Sequence, residues 1–111
     1  MKSEISYDQF EQLDLRVGEV VAASLPDWSE KLLRYEVDFG ENLGRRVMFS
    51  GIREWYEPDD LVGKKYVFVV NMKYKKMGPE ESQGMMIMTE YEGRPILMSV
   101  DGKIVNGSVV R

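Results

Sequence analysis

Between Leu33 and Phe39 the chain alternates without a break: Leu33, Tyr35, Val37 and Phe39 are apolar, and Arg34, Glu36 and Asp38 lie between them. Side chains of a strand point to opposite faces in turn, so this pattern predicts a strand with one buried face. The same reading predicts a strand over Leu15–Leu25, closed by the turn Pro26-Asp27-Trp28-Ser29. Gly18 inside it predicts a bend or bulge, as a small closed barrel needs at a corner. A third strand covers Arg45–Phe49, after a Gly40–Gly44 turn, and runs out into Ser50-Gly51-Ile52. Lys65–Val70 is a fourth strand, and its unbroken Tyr66-Val67-Phe68-Val69-Val70 run predicts burial on both faces. Met85–Thr89 is a fifth strand and Pro95–Val100 a sixth, separated by a Glu92-Gly93 turn; after Asp101-Gly102, Val109-Val110 forms a short last segment.

Two stretches follow the helical period instead. Ser6 and Gln9 have the spacing of a capping box, with Tyr7, Phe10 and Leu13 on one face behind them. Pro58, followed by Asp59 and Asp60 and stopped by Gly63, predicts a short helix between the third and fourth strands. Five core strands with a helix in that place is the element order of an all-β OB-fold barrel with extra N- and C-terminal elements. With 111 residues the chain is expected to be one domain, the barrel from about 14 to 90 and terminal extensions at 1–13 and 91–111.

Composition narrows the chemistry. The chain has no cysteine and no histidine, which removes disulfides, thiolate nucleophiles, the commonest general base and the commonest metal ligand. No Gly-x-Ser-x-Gly elbow, phosphate-cradling glycine loop or Asp-x-Asp-x-Asp series is present. Glu80 and Glu81 are adjacent, and read as solubilising charges in an exposed loop. The expectation is a protein that is not an enzyme and holds no metal or cofactor. No apolar run reaches the length of a membrane span and no signal-peptide core is found at the N-terminus, so a cytoplasmic location is expected by default. Met1 favours an independent protein, although an excised domain given a start codon would look the same.

Charge changes the picture locally. The formal net charge is −4, yet Lys64, Lys65, Lys73, Lys75 and Lys76 crowd one segment, with Tyr74 among them as a stacking face. The stretch Val69–Met88 therefore reads as two apolar strands that present a basic, aromatic-containing loop. Gly84 stands where the backbone needs positive φ or a close approach. Lys31, Arg34, Arg45 and Arg46 would extend the basic face if the barrel gathers them. Of Met72, Met77, Met85, Met86 and Met88, the last two read as core filler, and Met85, next to Ser82-Gln83-Gly84, lies nearer the candidate site.

A series of motifs then supplies a resemblance. Asp14-Leu15-Arg16-Val17-Gly18, Glu30-Lys31-Leu32, Ser50-Gly51-Ile52, the run Trp55 to Lys64, Asn71-Met72-Lys73 and Ser82-Gln83-Gly84-Met85 follow one another in order. From about Phe10 to the end, the chain resembles the tRNA-binding domain found at the C-terminus of many methionyl-tRNA synthetases. The same domain occurs in endothelial-monocyte-activating-polypeptide-like cofactors and in free-standing tRNA-binding proteins. The resemblance implies a non-catalytic OB-fold homodimer that binds tRNA by shape and backbone, with a methionyl-tRNA synthetase as a possible partner. It implies RNA-binding roles for Lys31, Asn71, Lys73, Ser82, Gln83 and Met85. Ser50, Tyr74, Lys75 and Lys76 complete the expected set. The terminal extensions would form the dimer interface through Tyr7, Phe10, Ile96, Leu97 and Met98, which lie outside the barrel strands. The sequence departs from the family at Leu25-Pro26-Asp27-Trp28-Ser29, where His-Pro-Asn-Ala-Asp is usual, and at Tyr74, which stands where a proline is common. Trp28 is thus a stacking or packing residue particular to this chain. A secretion-chaperone branch with the same dimeric barrel binds peptides, and is the alternative reading.

Overall fold

The computed structural model describes residues 1–111. The chain opens with α1 (Tyr7–Glu11), whose capping box is complete: Ser6 Oγ accepts from Gln9 N at 3.1 Å, and Ser6 N donates to Gln9 Oε1 at 2.8 Å. There follow β1 (Leu15–Ser24), β2 (Leu33–Asp38), β3 (Arg45–Ser50), α2 (Pro58–Leu61) and β4 (Lys65–Val69). Then come β5 (Lys75–Met77), β6 (Glu80–Ser82), β7 (Met85–Met86), β8 (Met88–Tyr91), β9 (Arg94–Leu97) and β10 (Val109–Val110). The barrel sheet runs β3-β2-β1-β4-β7, all neighbours antiparallel, and β10 returns to pair with β1 through Leu15↔Val110. No helix is long and apolar enough to cross a membrane.

The alternation along β2 is realised in full. Leu33, Tyr35, Val37 and Phe39 are all buried, while Arg34, Glu36 and Asp38 are half-buried on the other face. Phe68 sits at the centre of the core, edge-on to Phe39 at 5.3 Å between ring centroids and edge-on to Tyr66 at 6.5 Å. Leu61 from α2 is fully buried and joins the same core, which explains why so short a helix is stable.

Three expectations need correction. Gly18 is not where the first strand loses register: that shift falls between Val20 and Ala22. A Cβ on Gly18 would lie 2.5 Å from Val37 Cγ1 and 2.6 Å from the Phe39 ring, so the glycine is required by packing across the barrel. The single fifth strand predicted over Met85–Thr89 is divided. Met85 and Met86 pair with β4 and Ile87 N still donates to Val67 O at 2.9 Å, but β8 pairs with β9 instead. The cause is the Glu92-Gly93 turn, whose two residues both take positive φ (50° and 78°), the geometry of a tight two-residue hairpin. That hairpin carries the chain off the barrel. The basic loop, finally, is itself partly a hairpin: β5 and β6 pair from Lys75↔Ser82 to Met77↔Glu80 around Gly78-Pro79.

The barrel closes between β3 and the segment 82–83 by unusual means. Ser82 Oγ accepts from Phe49 N at 3.1 Å, and Gln83 Oε1 accepts from Val47 N at 2.8 Å. Gln83 N donates in return to Val47 O at 2.9 Å. Side-chain oxygens thus stand in for the carbonyls of a neighbouring strand, and backbone donors that would otherwise be buried without partners are satisfied.

Candidate nucleic-acid interface

Beside this seam lies a groove of about 360 Å3. Phe49, Ser50 and Gly51 at the end of β3 form one wall; Lys73, Lys75 and Met77 form another; Met72, Ser82, Gly84, Met85, Met86 and Met88 complete it. No acidic residue lines it. Lys73 and Lys75 are exposed, and neither meets a carboxylate, since the ion pairs of the chain are Arg16–Asp14, Arg34–Glu36 and Arg34–Glu80. Lys31, also exposed and unpaired, adjoins the same wall: its carbonyl accepts from Arg53 N at 3.3 Å, just after Ser50-Gly51-Ile52.

The lysines are carried on supported loops. Arg34 of β2 grips Glu80 of β6 through Nε and Nη2 at 3.1 Å, which ties the β5–β6 hairpin to the barrel wall. Trp28 packs on Phe49 at 5.6 Å, and a Cβ on Gly78 would lie 2.6 Å from the Trp28 ring. Trp28 is therefore a packing residue under the hairpin turn. Arg53 donates to Pro26 O at 2.8 Å and to Ser29 O, which fixes the loop that ends in Lys31. Beneath the groove, Tyr35 is fully buried, with its hydroxyl 2.8 Å from Ser50 Oγ. Burial pushes the Tyr35 phenol far above its ordinary range, and it stays protonated. Either hydroxyl of this pair can donate; when Tyr35 does, the Ser50 proton is left for another acceptor.

The structure thus brings Ser50, Lys73, Lys75, Ser82 and Met85 into one groove, with Lys31 beside it. The other expected residues stand apart. Asn71 accepts from Asp14 N at 2.8 Å and donates to Gln12 O at 2.6 Å, so its side chain clamps the N-terminal segment. Gln83 spends Oε1 on the seam; Ser82, although it lines the groove, is buried and commits its hydroxyl to Phe49 N and to Gly84 O at 3.1 Å. Lys76 lies directly across from Glu81 and alternates to the other face of its strand from Lys75. Tyr74 is half-exposed but does not line the groove. Phe49 is not singled out by sequence, and Met72 stands out only among the five methionines between 72 and 88 and in the Asn71-Met72-Lys73 motif, not as a site residue.

A larger cleft of about 610 Å3 has walls that include Arg16, Gly40, Glu41, Lys65, Lys103, Asn106 and Gly107. There Arg16 binds Asp14 at 2.6 Å and Gly107 O at 3.2 Å, and Lys65 Nζ donates to Ile104 O at 2.6 Å. Of the expected interface residues, Tyr7, Phe10 and Met98 are exposed, whereas Leu97 packs against the chain's own core.

Residues 15–109 match the family model of the tRNA-binding domain. The methionine–tRNA ligase of Oceanobacillus iheyensis is 41% identical over 110 residues, covering 98% of this chain and 16% of that enzyme. The chain therefore spans about a sixth of the length of such curated relatives. A crystal structure of a MetRS-related protein from Pyrococcus horikoshii superposes with a TM-score of 0.92 at 36% identity, covering 99% of this chain and 100% of that one. The chaperone CsaA from Bacillus anthracis superposes with a TM-score of 0.87 at 28% identity, covering 98% and 100%. With its barrel, its seam and its basic groove, the chain belongs to the tRNA-binding domain family.

Proposed function

We propose that this domain binds folded tRNA, reading shape and phosphate backbone rather than base sequence, and carries out no reaction of its own. One observation supports this reading above the others: Lys73 and Lys75 line an acid-free groove, with the backbone of Lys31 running beside its wall, in a chain whose net charge is −4. Lysines without carboxylate partners are free to replace the counterions of phosphates. Asn71, Ser82 and Gln83 contribute by holding the surface in shape, and Lys76 and Tyr74 lie close enough in sequence to meet an extended ligand. The domain acts as a cytoplasmic homodimer through Tyr7, Phe10, Ile96 and Met98, which offer apolar surface outside the barrel. It assists aminoacylation beside, or as part of, a methionyl-tRNA synthetase.

The test is binding of bulk tRNA across a salt series, with an unfolded peptide as competitor. The expected result is affinity whose logarithm falls linearly with log salt, by about 0.7–0.9 per phosphate contact, and which peptide does not displace. The likeness to CsaA, together with the exposed Met72 and Met85, supports a second reading as a peptide-binding chaperone. Peptide binding with little salt dependence and no tRNA binding would establish that one instead.

A further inference from the structure

We propose that the groove receives one unstacked nucleobase of the bound RNA, with Lys73 and Lys75 holding the phosphates on either side of it. This inference rests on the tRNA-binding reading and specifies what its site takes in. A phosphate-reading surface needs cations on a convex face and nothing more. Here the cations line a concavity whose apolar walls are five methionines and one phenylalanine. Met72 and Met85 are each 46% exposed, and the buried Phe49 lines the same groove. Half-exposed methionines at a groove mouth leave apolar area in water that a duplex backbone would not cover, and their polarisable sulfurs favour contact with flat π-systems. The volume of about 360 Å3 lies near the lower end of the range for small-ligand sites, about 300–1,000 Å3. That suits one planar heterocycle and excludes a helix.

The groove also has a polar anchor. Ser50 Oγ and the Tyr35 hydroxyl are 2.8 Å apart and either can donate; with Tyr35 as the donor, the Ser50 hydroxyl donates in turn to an acceptor on the base or its sugar. Donation of this kind suits every base, since each carries acceptors at its edge, and it makes the groove tolerant of sequence. Charge selects the chemistry of the occupant. The acid-free, lysine-rimmed mouth favours a polyanion over an apolar peptide segment, which needs no cation at all. Unpaired bases that can be splayed out are the usual handles by which proteins grip RNA single strands, loops and ends.

The experiment compares a short single-stranded RNA carrying one 2-aminopurine with the blunt duplex of the same sequence, each as a competitor of tRNA. The single strand is expected to compete at least about tenfold better, with a change in 2-aminopurine fluorescence on binding. Met72→Ala with Met85→Ala is expected to weaken single-strand binding about tenfold while leaving the salt slope unchanged, because no phosphate contact is lost. Lys73→Ala is expected to lower that slope by about one contact. Met85→Leu is a control for folding and keeps the apolar wall. Equal competition by duplex and single strand, with neutral methionine variants, overturns the proposal and leaves the tRNA-binding reading intact. Displacement of the RNA by an unfolded peptide overturns it in favour of a peptide groove. Failure to bind tRNA at all overturns both readings, and is told apart because it appears before any competitor is added.

Discussion

Arg16 and Lys65 in the larger cleft and Lys73 and Lys75 in the smaller groove are the same kinds of side chain put to different uses. In the larger cleft the guanidinium is held by Asp14 and Gly107 O, the Lys65 ammonium is held by Ile104 O, and Glu41 stands in the wall. Those cations stitch the C-terminal segment 104–107 to the barrel. In the smaller groove the lysines bind nothing of the protein, and no carboxylate lines the wall. Volume is thus a poor guide to a polyanion site; what matters is whether the positive charges are still available.

The sharpest way to break this contrast is to reverse a charge on each side. Lys73→Glu is expected to lower tRNA affinity by well over tenfold, since it removes one phosphate contact and adds repulsion. Lys103→Glu, at the rim of the larger cleft, is expected to leave affinity within about twofold. Titrations at one fixed salt concentration decide between the two, and equal losses would erase the distinction. A second pair separates fold from surface. Gly107 has φ +92°, and a Cβ there would lie 2.3 Å from Phe39 O; Gly84 has φ +151°, and its Cβ would lie 2.8 Å from Val69 O. Both alanine variants are expected to lose about 1–3 kcal/mol in urea unfolding, because backbone must move to make room. Only Gly84→Ala should also weaken tRNA binding per folded molecule. The smallest effect is expected from Glu80→Gln. The Arg34–Glu80 pair is partly exposed, so its loss should cost about 0.5–1 kcal/mol in the same assay. A larger loss would mean that the hairpin tether carries more of the fold than its exposure suggests.

Much of the barrel was legible in the sequence, because the signals were local. The alternation at Leu33–Phe39 exists because one face meets the core, and Pro58 with Asp59 and Asp60 marks a helix start wherever it occurs. The candidate site was legible only in outline. Asn71, Ser82 and Gln83 are residue types that often touch ligands, and their spacing pointed to a surface. Their hydrogen bonds, however, run to Asp14, Phe49 and Val47, 57, 33 and 36 residues away, and nothing local announces such a partner. Trp28 was undecided between stacking and packing for the same reason: what settles it is the ring's place under Gly78. The division of the fifth strand was hidden in a turn that was itself correctly read, since a tight hairpin decides which strand Met88 pairs with. Short-range pattern gives elements and their faces. Which polar groups the fold consumes is a long-range question.

The seam has one further consequence. A strand paired by backbone must be peeled away residue by residue, whereas at the seam the amides of Val47 and Phe49 are held by two side chains, Gln83 and Ser82, and a single backbone bond, Gln83 N to Val47 O, runs beside them. The barrel can therefore breathe at this place at less cost than global unfolding requires. Ser82 and Phe49 also line the groove, so an occupant that needs the closed seam pulls the equilibrium toward it by mass action. Occupancy of the surface and amide exchange at two positions of the third strand then become one coupled quantity, with the seam serving as its gauge.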